Sequence, residues 1–123
     1  MWSFADFHSG WADAYNAATW PIQHLQDLEV FYGGDVSDFF NLFMVPGGGH
    51  CGPASNFPAS PGTYHVTEAL VSWVERGEKP VSVLSTGIVN GTDISRKLCP
   101  WPQTATYIGG NSNAASSYVC EIS

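Results

Sequence analysis

Positive charge is the scarcest resource in this chain. Only 12% of its 123 residues are charged, and four Lys and Arg stand against eleven Asp and Glu, a formal net charge of −7. Binding to nucleic acid draws its affinity from cations that displace counterions from phosphate. Arg76, Lys79, Arg96 and Lys97 are too few to form such a patch, and too few to hold an anionic membrane surface. No apolar run approaches the roughly 20 residues of a membrane span. No basic start followed by an apolar core marks a signal peptide. Neither nucleic acid nor a membrane is therefore an expected partner.

Cysteine is also scarce, at three residues: Cys51, Cys99 and Cys120. An odd count leaves one thiol without an internal partner. No Cys-x-x-Cys pair occurs and the spacings match no common zinc pattern, so no metal site is expected in this segment. Asn90-Gly91-Thr92 is an N-glycosylation pattern. Together with the cysteines it leans toward an oxidising compartment. A Gly-x-Ser-x-Gly nucleophile elbow is missing as well: Ser9, Ser55, Ser60 and Ser85 all lack that context.

What is present is apolar. Hydrophobic residues make up 44% of a chain whose length suits one domain. Residues 2–8 are rich in aromatics and read as a strand, followed by a loop over residues 9–13. Helical spacing runs from about Ala14 to Tyr32 through Ile22, Leu25, Leu28 and Val30-Phe31. Pro21 belongs in its first turn and Gly33-Gly34 ends it. Residues 39–45 are apolar without alternation, the signature of a strand buried on both faces. A long Gly/Pro/Ser/Asn loop covers residues 46–62, a length that is often functional. A second helix spans about Tyr64 to Arg76, with Val66, Leu70, Val71, Trp73 and Val74 as its apolar face and Gly77 as its stop. Residues 81–86 read as a short strand, and residues 87–123 have little periodicity.

This order predicts an α/β fold with parallel pairing. Two or three strands make a poor parallel sheet alone, because both faces need cover. Met1 also leads straight into Trp2-Ser3-Phe4, already strand-like. The expectation is an incomplete fold, part of a longer chain.

The chemistry gathers at two points. Phe39-Phe40-Asn41-Leu42-Phe43-Met44-Val45 runs into Pro46-Gly47-Gly48-Gly49 and delivers His50 beside Cys51. Gly10-Trp11-Ala12-Asp13 ends an earlier apolar segment with an acid. A serine hydroxyl needs a base to take its proton, and imidazole titrates near neutrality. A carboxylate behind it fixes the tautomer and stabilises the imidazolium. In α/β-hydrolases the order along the chain is Ser, then acid, then His. Asp13 before His50 obeys that order, which puts the serine upstream of Met1.

These residues resemble the C-terminal part of the tannase and feruloyl esterase family. The resemblance rests on Gly10-Trp11-Ala12-Asp13, Asp38-Phe39-Phe40, Leu42-Phe43-Met44-Val45-Pro46-Gly47, Gly49-His50-Cys51 and Leu98-Cys99-Pro100-Trp101-Pro102-Gln103. It runs roughly from Phe7 to Cys120. It implies a secreted serine esterase with an α/β-hydrolase core, cleaving galloyl or feruloyl esters. It also implies a large inserted lid that holds calcium and is absent from this segment, as is the nucleophile half. By resemblance, Asp13 is the triad acid and His50 the base. Cys51 is half of a disulfide to a cysteine that precedes the serine, outside this chain. Cys99 and Cys120 would close a second, C-terminal disulfide. The segment departs from the family pattern where Ser9 stands between His8 and Gly10, and where Gly48 replaces a common Met.

Residues 1–123 are thus expected to be the C-terminal portion of the hydrolase domain, inactive without the missing N-terminal part of the same enzyme. Its ligand would be a phenolic ester derived from plant cell wall or tannin. Trp11, beside the acid, is the candidate substrate contact. The competing readings are plainer. Asp13 could cap the following helix, and His50 could be a structural loop histidine. His8, His24 and His65 are read as structural. The aromatics Trp2, Phe4, Phe7 and Trp11 could be core or the recognition surface of a non-catalytic module.

Overall fold

The computed structural model describes residues 5–123, so Trp2 and Phe4 lie outside the described residues. Strand β1 (Ala5–Gly10) leads through a loop into helix α1 (Thr19–Tyr32) and back to strand β2 (Phe40–Val45). β1 and β2 pair in parallel, from Ala5 opposite Phe40 to Gly10 opposite Val45. The parallel βαβ unit expected from the sequence is therefore present. The helix stops where Gly33 takes a left-handed conformation (φ 86°) and its N–H reaches the Glu29 carbonyl, a conformation that costs glycine nothing. Leu25 is buried on α1, whereas Val30 and Phe31 face solvent.

β2 is the centre of the molecule. Side chains alternate across a strand, and here both sides are apolar. Leu42 and Met44 join Leu25 and Val36 in one cluster against α1. Phe43 and Val45 join Val83 and Leu98 in another on the opposite face. Leu42, Phe43, Met44 and Val45 are each at most 6% exposed. That double burial is why the run carries no polar alternation.

The second half departs from the parallel order predicted for it. After the loop of residues 46–62 come β3 (Thr63–Tyr64), α2 (Val66–Arg76), β4 (Val83–Val89) and β5 (Thr92–Leu98). β4 pairs antiparallel with both β3 and β5. The β4–β5 connection is the two-residue turn Asn90-Gly91, with φ 50° and 75°. Asn-Gly is the pair that a hairpin turn with two positive φ angles selects. The stretch without visible periodicity holds β5, β6 (Thr104–Tyr107) and β7 (Tyr118–Glu121), the last two antiparallel. On α2 the buried face is narrower than its apolar pattern: Trp73 is buried, while Val71 and Val74 are exposed. The chain beyond β5 returns to β2, where the Trp101 N–H donates to the Leu42 carbonyl at 2.7 Å. The far edge of β1 has no strand partner among the described residues.

Candidate active site

Parallel strands present ligands at their carboxyl ends, and β1 and β2 end level with each other, Gly10 opposite Val45. The loops that follow are laced by backbone bonds. Trp11 N–H donates to the Val45 carbonyl at 3.1 Å, and Ala12 N–H to the Gly48 carbonyl at 2.9 Å. The two loops press so closely that a Cβ on Gly10 would collide with the Gly48 carbonyl. Glycine at position 10 is thus a steric requirement. A side chain at Gly48, where the family commonly has Met, would meet Val45 at 2.9 Å and the Gly10 Cα at 3.1 Å.

This lacing brings Asp13 and His50 together. His50 Nδ1 lies 3.1 Å from Asp13 Oδ2. The other carboxylate oxygen, Oδ1, accepts the backbone N–H groups of Tyr15 at 2.8 Å and Asn16 at 3.1 Å. The Tyr15 N–H is the main reason the Asp13 pKa falls to about 2, and the contacts with His50 and the Asn16 N–H add to it. A carboxylate held ionised in this way favours the imidazole tautomer with its proton on Nδ1. Nε2 then carries the lone pair, and it has no hydrogen-bond partner among the described residues. The Asp13 side chain is 8% exposed and that of His50 50% exposed, so the carboxylate is shielded and the imidazole is open. Asp13 does not cap the helix: that position belongs to Ala18.

A family model described as tannase and feruloyl esterase matches residues 7–121. The chain belongs to this family. It is 36% identical over 104 residues to a probable feruloyl esterase of Arthroderma benhamiae, covering 80% of this chain and 19% of that protein. It is 32% identical over 120 residues to the mono(2-hydroxyethyl) terephthalate hydrolase of Piscinibacter sakaiensis, covering 92% of this chain and 19% of that protein. Among solved structures, feruloyl esterase B from Aspergillus oryzae superposes with a TM-score of 0.78 at 22% identity, over 96% of this chain and 26% of that one. Tannin acyl hydrolase from Aspergillus niger gives 0.80 at 20% identity, over 98% and 23%. The chain thus has the fold of a portion of these enzymes, and it spans about a fifth of the curated relatives' length.

The cysteines of this tannase and feruloyl esterase family member divide as its resemblance implied within the chain. Cys99 and Cys120 form a disulfide. Cys51 is a free, exposed thiol whose φ is 60°. That left-handed backbone is uncommon outside glycine, and strain of this kind collects at functional sites.

Beside His50 and Cys51 opens a cavity of about 480 Å³ whose walls include Trp20, His24, Phe40 and Tyr64. The sequence reading missed these four as site residues. Only their aromatic character signalled them, because they come from three separate elements. The Tyr64 hydroxyl is buried without a partner among the described residues. His8 sits edge-on to the Tyr64 ring, and burial lowers its pKa. Trp11 neighbours Asp13 in sequence, but its ring packs on Trp101 and does not line this cavity. His65 is structural: it joins Thr86 on β4 to Glu68 on α2. No group of three or more His, Cys, Asp and Glu side chains is placed to hold a metal among the described residues.

Proposed function

We propose that this chain supplies the acid and base of a secreted serine carboxylic ester hydrolase, with the nucleophile on a part of the enzyme outside these 123 residues. The observation that carries the reading is the Asp13–His50 contact, with Asp13 pinned by two N–H groups and Nε2 of His50 open. In this reading Nε2 takes the proton of the serine as it attacks the ester carbonyl. His50 then returns that proton to the leaving alcohol, and the acyl-enzyme is hydrolysed by water activated at the same nitrogen. Asp13 stays ionised throughout and stabilises the imidazolium.

The substrate proposed is an ester of an aromatic acid, galloyl or feruloyl. Two relatives are named for feruloyl and terephthalate esters, and the cavity beside His50 is walled by Trp20, Phe40 and Tyr64. Aromatic walls suit a planar acyl ring. Cys51 is proposed to pair with a cysteine next to the serine. Its exposed thiol beside the base supports this, because such a bond would tie base to nucleophile. The calcium that the family resemblance implies would belong to the lid, outside these 123 residues. The disulfide Cys99–Cys120 supports secretion.

The test is a graft. Placed in the corresponding segment of feruloyl esterase B from Aspergillus oryzae, the chain should sustain hydrolysis of a feruloyl ester, whereas the chain alone should show none. A folded graft without turnover would contradict the proposal. So would serine-dependent turnover by the chain alone.

A further inference from the structure

Asn16 contributes to the Asp13 site in two ways. Its backbone N–H donates to Asp13 Oδ1 at 3.1 Å. Its side-chain amide also reaches His50: the Asn16 Nδ2 lies 3.4 Å from the same Nδ1 that Asp13 Oδ2 approaches at 3.1 Å. Two groups therefore converge on one ring nitrogen.

Their chemistry decides how they share it. Asp13 is ionised and can only accept, so it selects the tautomer with hydrogen on Nδ1. A second group at that nitrogen then meets an N–H and must also accept. The only acceptor on the Asn16 side chain is Oδ1. Which end of an amide faces a partner follows from the hydrogen-bond network around it; an Nδ2 facing an Nδ1–H would set donor against donor, so the network calls for the amide turned over, with Oδ1 toward the ring. We propose that Asn16 is a positioning residue for His50: its Oδ1 is the second acceptor of the Nδ1–H, and it holds the imidazole with Nε2 unprotonated. The proposal rests on the reading of Asp13 and His50 as an acid–base pair.

Other neighbours do not duplicate this role. The Tyr15 ring lies edge-on to the imidazole, 5.3 Å between centroids, a ring contact that offers Nδ1–H no acceptor oxygen. Cys51 follows His50 in sequence and its thiol is exposed. Asn16 itself is exposed, so its side chain can be changed with little loss of packing. Every variant at position 16 other than proline keeps the backbone N–H that Asp13 uses. A substitution there isolates the amide.

The experiment uses the full 123-residue chain with 15N-labelled histidine and reads the Nδ1 and Nε2 signals of His50 at a pH where the ring is neutral. Wild type should show the Nδ1–H tautomer as the dominant form. Asn16→Ala should lower the ratio of Nδ1–H to Nε2–H on the order of three- to tenfold, the range set by losing one neutral hydrogen bond. Asn16→Asp, which can only accept, should preserve or raise that ratio. Asp13→Asn separates the proposal from the reading beneath it. If Asp13→Asn abolishes the preference and Asn16→Ala leaves it unchanged, the Asn16 proposal fails while the acid–base pair stands. If Asp13→Asn leaves the tautomers unmoved, the pair itself fails. A wild-type ring carrying its proton on Nε2 overturns both. Backbone amide spectra that superpose away from residues 13–16 and 50 establish that each variant is folded.

Discussion

Residues 5–45 pair their strands in parallel, whereas residues 63–121 pair theirs antiparallel. Asp13 and His50 stand on the two loops that leave the strands of the first region. The second carries neither. It lays Val83 and Leu98 on Phe43 and Val45, so it covers the face of β2 that α1 leaves open. The comparison separates two tasks. Parallel strands ending level bring an acid and a base from 37 residues apart to 3.1 Å. The antiparallel hairpins pack against the strand that leads to His50.

The comparison breaks most severely at the residue both regions share. Phe43 is fully buried between them, and Phe43→Ala should cost about 3–5 kcal/mol through lost transfer energy and a residual cavity. Chemical denaturation should show that loss, together with loss of the Asp13–His50 contact by NMR. A cost below about 1 kcal/mol would mean that the second region does not brace β2.

Next in size is the disulfide. Cys99–Cys120 encloses a sequence separation of 21, and in the chain-entropy model a loop of that size is worth about 3 kcal/mol. A Cys99→Ala/Cys120→Ala variant should lose about that much stability while the His50 ring signals stay in place. Equal disturbance of His50 would erase the proposed division of tasks.

Smaller still is the hairpin turn. Gly91 has φ 75°, and an L-residue there is strained by roughly 1–2 kcal/mol. Gly91→Ala should lower thermal stability modestly, again without moving His50.

The gentlest perturbation falls on the first region. The Asp13 pKa is lowered to about 2, chiefly by the Tyr15 N–H, from an ordinary value of 3.8. A depressed carboxylate pKa stabilises the fold above the unfolded pKa, and that contribution is lost as pH falls through the folded one. Carbon NMR of Asp13 should therefore titrate near pH 2, with its stabilisation fading between about pH 4 and pH 2. Tyr15→Pro deletes the leading N–H donor and should move the midpoint upward. An unmoved midpoint would show that the backbone clamp is not its cause.

The first region was largely legible in the sequence. An unbroken apolar run marked β2 because both of its faces are buried. Gly33 marked the end of α1, and the Gly-Trp-Ala-Asp and Gly-His-Cys blocks marked the two side chains that meet, Asp13 and His50. The second region was less so. Its strands are short and half exposed, so alternation along β5 is faint: only Ile94 and Leu98 are buried there. The Asn90-Gly91 hairpin signal was present, but the same residues also read as a glycosylation pattern. The cavity walls were the least legible. Trp20, Phe40 and Tyr64 converge only through the tertiary arrangement of α1, β2 and β3, and nothing local in sequence links them. Trp11 stood out by being next to Asp13, yet its ring turns to Trp101.

The central claim is that Asp13 and His50 work as one acid–base pair. The most direct measurement is turnover of a feruloyl ester by the graft in feruloyl esterase B, with His50→Ala and Asp13→Asn introduced separately and together. Each single substitution should lower kcat by at least roughly 10⁴-fold with little change in KM, and the double should fall little further than His50→Ala, because members of a catalytic unit are not additive. Losses within about tenfold, or losses that multiply in the double variant, would contradict the account.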